Sequence, residues 1–211
     1  MTATDGGSMR RVGVFGGTFD PPHNAHLLAA ATARDVLRLD RVLLVVAGDP
    51  WQKTASVPVT AAHHRLAMTQ LLVEGVDGLE VSDVEVRRSG PSYTVDTLAE
   101  LASTEEQLVL ILGDDALAGI ATWHRPSEVV RLAQIAAVQR PGVNDGADGQ
   151  LLDARLILPA GRHVERFEIP RMDISSSDLR RRLRSGATVC GMLPPPVASY
   201  ALRHGLYREQ P

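Results

Sequence analysis

Short, unbroken apolar runs recur along the chain, and a helix-length segment separates each from the next. Arg11–Phe15 (RVGVF), Arg41–Val46 (RVLLVV), Gln107–Leu112 (QLVLIL) and Gln134–Val138 (QIAAV) are short, β-branched and almost uniformly apolar. That pattern reads as strands buried on both faces. Gly16-Gly17, Gly113 and Arg140-Pro141-Gly142 break three of them. Buried strands alternating with helices make a doubly wound parallel sheet, so the predicted class is α/β and Rossmann-like. Ligands in such sheets sit beyond the carboxyl ends of the strands. The segments placed there are Gly16–His26, Ala47–Lys53, Gly113–Trp123 and Arg140–Gly142.

The remaining elements follow from caps and breakers. A helical pattern starts at His23 and runs through Leu37, and Thr60 is positioned to cap a helix from Ala61 to Val73. Leu79–Val86 (LEVSDVEV) alternates as a half-buried strand would, and Ser92 caps a helix to Leu101. Short helices are expected from Asp115 and from Pro126 or Ser127, the latter ending near Ala133. Arg155–Leu158 and His163–Ile169 read as strands, Ser177–Arg184 as a helix, Leu193–Pro196 as a rigid linker and Val197–His204 as a small C-terminal helical segment. Val143–Ala154, rich in glycine and acid, reads as a surface loop. Residues 1–9 read as a loose tail and residues 10–211 as one domain.

Composition excludes several function classes. The net charge is −3, without the basic excess on which non-specific nucleic-acid binding depends. Cys190 is the only cysteine, so no intrachain disulfide or cysteine-based zinc site is expected, and Cys190 itself reads as a packed small hydrophobe. No signal peptide is apparent, and no run approaches the roughly 18 apolar residues of a membrane span. The cytoplasm is the expected location. Whether copies of the chain associate is left open.

Three constellations could carry chemistry. The first, Gly16-Gly17-Thr18-Phe19-Asp20-Pro21-Pro22-His23-Asn24-Ala25-His26, leaves a strand and enters a helix. Glycines let backbone N–H groups approach an anion, and a helix N-terminus adds donors and a favourable dipole. His23 and His26 are spaced to share one face of the first turn. The segment fits neither a Walker loop nor a dinucleotide fingerprint. A histidine-pair metal site and a plain helix start with two incidental histidines remain open from the pattern alone. The second constellation is Ile174–Arg180 (ISSSDLR), where hydroxyls and an arginine fork could hold phosphate. A capped surface helix with a solvated basic face is the simpler reading of it. The third is Gly113-Asp114-Asp115 with Trp123 eight residues beyond Asp115. A carboxylate there could accept ribose hydroxyls and the tryptophan could stack on a flat ring, against a helix cap and a core anchor as the ordinary alternatives. His63 and His64 are expected to face different ways, and His124, His163 and His204 show no spacing logic.

Taken together and in order, these segments resemble the nucleotidylyltransferases with an HxGH signature, and among them the bacterial nicotinate mononucleotide adenylyltransferases. GGTFDPPHNAHL, GDPWQK, RSGPSYTVDTL, GDDALAGIATW, QRPG and ISSSDLR follow the family's order, and LPPPVASYALRHGLY resembles its C-terminal helix. The resemblance implies adenylyl transfer from ATP to nicotinate mononucleotide, with Mg²⁺ accompanying ATP and no metal held by protein ligands alone. It implies His23, His26 and Arg180 as catalytic residues. It implies Gly16, Gly17, Thr18, Phe19, Ala25, Gly113, Asp115, Ser176 and Ser177 around ATP, and Lys53, Thr94, Trp123 and Arg140 around the pyridine nucleotide. The signature departs at Ala25, which stands where the family has glycine. A methyl there is expected to crowd the nucleotide and weaken the ATP interaction. Trp51-Gln52 and Ser177 depart more mildly from a common histidine and threonine.

Overall fold

The computed structural model describes residues 9–50, 58–139 and 158–208. Six strands form one sheet in the order β3-β2-β1-β4-β5-β6, and every pairing between them is parallel. They are β1 (Arg10–Gly17), β2 (Arg41–Val46), β3 (Leu79–Ser82), β4 (Glu106–Gly113), β5 (Ala133–Gln139) and β6 (Glu165–Glu168). The strand order reverses between β1 and β4, which pair through Val14 and Leu110. That switch point opens a crevice at the strands' carboxyl ends.

The helices cover both faces. They are α1 (Asn24–Val36), α2 (Ala62–Val73), α3 (Val84–Arg87), α4 (Thr94–Leu101), α5 (Asp114–Ala118), α6 (Pro126–Leu132), α7 (Ser176–Ser185) and α8 (Pro195–Arg203), with a 3₁₀ turn at Ile120–Thr122. On one face, Phe15, Val109 and Ile111 pack with Ala29, Ala30 and Ala33 of α1, Met68 and Leu72 of α2, and Val197 of α8. On the other, Val12, Val14, Leu108 and Leu110 pack with Val95 and Leu98 of α4 and Val129 and Val130 of α6. The strands' two-residue alternation divides each run between the two cores. The doubly wound parallel reading therefore holds.

Several local expectations do not. The alternation of Leu79–Val86 ends as a strand at Ser82, because consecutive residues Val84 and Glu85 both turn inward in α3. The backbone of α3 lies close enough to Gly48 that a Cβ there would meet the Glu85 carbonyl at 2.1 Å. Thr60 does not cap α2. Its N–H donates to Asp20 and its carbonyl accepts from Arg65, so α2 begins one residue later with Ala61 at the cap. Ser92 does not cap α4 either. Its hydroxyl accepts the N–H groups of Gly48 and Asp49 at 3.0 and 3.2 Å, and Tyr93 is the cap. Pro195 and Pro196 belong to the first turn of α8 rather than to a linker, since that turn needs no N–H from them. Cys190 is exposed, not packed. The expected strand at 155–158 and loop at 143–154 fall outside the described residues apart from Leu158, which is not in a strand. Of the expected tail only Met9 is described.

The histidines of α2 also differ from expectation. The His63 ring lies 4.1 Å from His64 on α2 itself, and because helix α8 crosses α2 the His204 ring lies 5.1 Å from His64, centroid to centroid, with the Tyr200 hydroxyl 3.0 Å from His64 Nδ1. Burial, then His63, then His204 hold the His64 pKa below its ordinary value. A lowered folded-state pKa means that unfolding takes up protons, so stability is complete above about pH 6.5 and is lost as pH falls from there through the folded value. Thermal melts of the wild type are thus expected to drop more between neutral and mildly acidic pH than those of His64→Gln. Equal drops would remove His64 as the cause.

Candidate functional site

The crevice at the switch point is a cavity of about 670 Å³. Its floor comes from the carboxyl ends of β1 and β4. A Cβ added at Gly16 or at Gly113 would find nothing within 4 Å, so both glycines leave open space where any side chain would intrude. Gly17 acts differently. A Cβ there would meet the Phe19 ring at 2.7 Å, so Gly17 makes room for that ring. Phe19 is 2% exposed, with φ 50° in the left-handed region, where the chain doubles back from β1 toward α1.

The two histidines meet at the start of α1. His23 is the cap residue and His26 the third of the helix. The His23 N–H donates to His26 Nδ1 at 3.2 Å. Neutral His26 therefore carries its ring proton on Nε2, which makes that atom a donor. The two rings stack 3.7 Å apart, and Phe19 packs edge-on to His26 at 5.0 Å. The aromatic contact fixes the plane of the imidazole, and at the helix start the Asn24 N–H donates to the Met192 carbonyl and the His26 N–H to the His23 carbonyl. Ala25 is 4% exposed and lines the cavity.

Helix α7 closes the opposite side. Ser175 is its cap, accepting the Asp178 N–H at 3.2 Å. The Ser176 hydroxyl donates to the Pro21 carbonyl at 3.0 Å, and Arg180 donates to the Asp20 carbonyl at 2.6 Å and to the Ser177 hydroxyl at 3.2 Å. The helix is thereby joined to the β1–α1 loop. Arg182 and Arg181 both bind Asp178, and the Arg182 hydrogen bond first, then the charges of Arg182 and Arg181, hold its carboxyl below the usual range. Among the described residues Arg180 has no carboxylate within 4 Å, so of the three arginines it is the one whose charge faces the cavity.

Thus Gly16, Gly17, Thr18, Phe19, His23, Ala25, His26, Gly113, Asp115, Ser176, Ser177 and Arg180 share one cavity. Thr94 and Trp123 do not line it. They stand near the other core, Thr94 as the first residue of α4 and Trp123 after the 3₁₀ turn, partly buried against the cluster that contains Val95 and Leu98. Tyr93 stacks on His124 at 4.4 Å, and Asp96 pairs with Arg125, which joins the start of α4 to the Trp123 segment. Lys53 and Arg140 lie outside the described residues. Sequence reasoning misses Arg65, Asp20 and Tyr207, and finds no role for His124. Arg65 had a signal: it shares the spacing of Met68, Thr69 and Leu72, the buried face of α2.

A polyanion fits this arrangement. The cavity offers two imidazoles, an arginine and the Ser176 and Ser177 hydroxyls, with open space over Gly16 and Gly113. No group of three or more His, Cys, Asp or Glu among the described residues could hold a metal by itself. No described helix is long and apolar enough to cross a membrane.

Comparison with known proteins adds three findings. The cytidylyltransferase-like family model matches residues 14–182. A Thermomicrobium roseum protein named probable nicotinate-nucleotide adenylyltransferase is 42% identical over 95% of this chain and 92% of its own, and one of the same name from Saccharopolyspora erythraea is 41% identical over 95% and 91%. The Plasmodium falciparum nicotinic acid mononucleotide adenylyltransferase complexed with NaAD has a similar fold, with TM-score 0.74, 20% identity and coverage of 94% of this chain and 97% of that one.

Proposed function

The chain belongs to the nicotinate-nucleotide adenylyltransferases of the cytidylyltransferase-like family, and from that membership we propose that it transfers AMP from ATP to nicotinate mononucleotide in the cytoplasm. The products are nicotinate adenine dinucleotide and pyrophosphate. The observation that carries the reading is the open floor at Gly16 and Gly113 beneath His23, His26 and Arg180.

An oxygen of the acceptor's 5′-phosphate attacks the α-phosphorus of ATP, and the bond from that phosphorus to the bridging oxygen breaks as pyrophosphate leaves. The nucleophile is already an anion, so no side chain need remove a proton. The protein's part is to hold two anions in line and to offset their charge. His26 Nε2 and His23 donate to the reacting phosphate. The Gly16–Thr18 backbone lines the phosphate path. Arg180, with Ser176 and Ser177, holds the end that departs. Asp115 faces the ribose, with Gly113 beneath it. Mg²⁺ would neutralise phosphate charge when bound, and among the described residues Asp114 and Asp115 line the cavity without a group of three ligands.

Trp123 stacks on the pyridine ring and Thr94 contacts its substituent, with Lys53 and Arg140 completing the acceptor side. Trp123→Ala is expected to raise KM for nicotinate mononucleotide about tenfold, as loss of one stacking contact would, and to leave KM for ATP within about twofold. Equal rises in both would make Trp123 a core residue only.

The buried Ala25 methyl favours one second reading, the same chemistry with another acceptor. The specificity constants for nicotinate mononucleotide, nicotinamide mononucleotide and phosphopantetheine separate the two. Preference for the first supports the assignment, and preference for either other overturns it.

A further inference from the structure

A buried polar group beneath the phosphate loop has no part in the transfer step itself. Arg65 is 1% exposed, yet its guanidinium spends its donors on backbone. Nε donates to the Thr60 carbonyl at 2.7 Å, Nη1 to the Thr18 carbonyl at 2.9 Å and Nη2 to the Gly48 carbonyl at 3.1 Å. One planar fork therefore spans the loop after β1, the loop after β2 and the entry to α2. Asp20, 4% exposed, takes the other side of Thr60. Its carboxylate accepts the Thr60 N–H at 3.1 Å and the Tyr207 hydroxyl at 2.6 Å. Burial, then the neighbouring Asp20 charge, pushes the Tyr207 phenol far above its ordinary range, so it stays a donor. The Asp20 carbonyl receives Arg180.

We propose that Arg65, Asp20 and Tyr207 form a positioning clasp for the triphosphate half of the site. None of the three need touch the reacting phosphorus. Together they set where the Gly16–His23 backbone and the Arg180 guanidinium stand. Thr18 lies two residues beyond Gly16, so a shift at its carbonyl moves the cavity wall directly. In-line transfer tolerates little of this, since a misplacement near 1 Å costs about a hundredfold. A lysine at 65 would keep the charge but replace a rigid fork with a single flexible point. The clasp also makes the C-terminal turn, where Tyr207 sits with φ 65°, a working part of the nucleotide site.

The inference rests on the adenylyl-transfer reading, and two variants test it. Arg65→Lys is expected to lower kcat/KM for ATP by about 10–100-fold. Tyr207→Phe, which removes one hydroxyl, is expected to raise KM for ATP by about 3–10-fold, a part of the worth of one charge-assisted hydrogen bond, with KM for nicotinate mononucleotide unchanged. Calorimetric Kd values for ATP without acceptor should weaken in parallel. A purely structural role would lower the melting temperature and leave the constants of the folded protein at wild-type values. That result in Tyr207→Phe overturns the clasp, even where Arg65→Lys does not fold. A wild type that binds ATP but forms no dinucleotide counts against the transfer reading instead, and the Kd comparison still decides the clasp.

Discussion

Replacement of His26 by alanine is expected to cut turnover by about 10²–10³-fold, the range seen when one donor to transition-state charge is removed from a preorganised site. The size of the effect follows from how the imidazole is held. Its Nδ1 is committed to the His23 N–H, and its plane is fixed between the His23 ring and the edge of Phe19. An Nε2 donor held this firmly needs no reorganisation when charge shifts toward the departing pyrophosphate. KM for ATP should change far less than kcat, because on the proposed reading Arg180, Ser176 and Ser177 go on holding the ground-state anion. The same substitution removes the acceptor for the His23 N–H, so some stability is lost as well. Turnover per folded molecule separates the two effects. Turnover near wild type would mean that the phosphates do not lie against His26.

The second large effect is expected from Gly16→Val. Gly16 sits in β1 beside Val45 of β2, a position where a β-branched residue suits the strand. A Cβ there meets no protein atom within 4 Å, and the residue does not require the left-handed backbone region. Folding should therefore be unimpaired, with a melting temperature at or above wild type. The added side chain projects into the cavity where the nucleotide is expected to lie. ATP affinity should fall by more than about 100-fold, as overpacking of a filled site costs a few kcal/mol. The same change at Gly17 would be ambiguous, because Phe19 already occupies that space. Wild-type ATP affinity in Gly16→Val would place the nucleotide elsewhere.

The sheet is legible in the sequence because its strands are buried on both faces. Arg41–Val46 is bounded in the structure as its residues suggest, and Gln107–Leu112 is extended by one residue at each end. The turn from β1 into α1 is legible because glycine and proline break the strand locally and the helical pattern starts at His23. What local pattern does not carry is the pairing of distant polar groups. Thr60 and Ser92 look like caps for the helices that follow them, but loops from other parts of the chain claim their polar groups. Alternation in LEVSDVEV predicts strand pairing, yet Val84–Arg87 is a helix whose backbone packs closely on Gly48. Arg65 escapes notice because an arginine is ordinarily assigned to solvent, although its helical spacing sets it among buried neighbours. His64 and His204 are 140 positions apart, and only the crossing of α8 over α2 brings them together.

The most direct test of adenylyl transfer is identification of the products after incubation of the protein with ATP, Mg²⁺ and nicotinate mononucleotide. Nicotinate adenine dinucleotide and pyrophosphate should appear in equal amounts, with no ADP and no free phosphate. ADP formation, or pyrophosphate without the dinucleotide, would contradict adenylyl transfer to this acceptor.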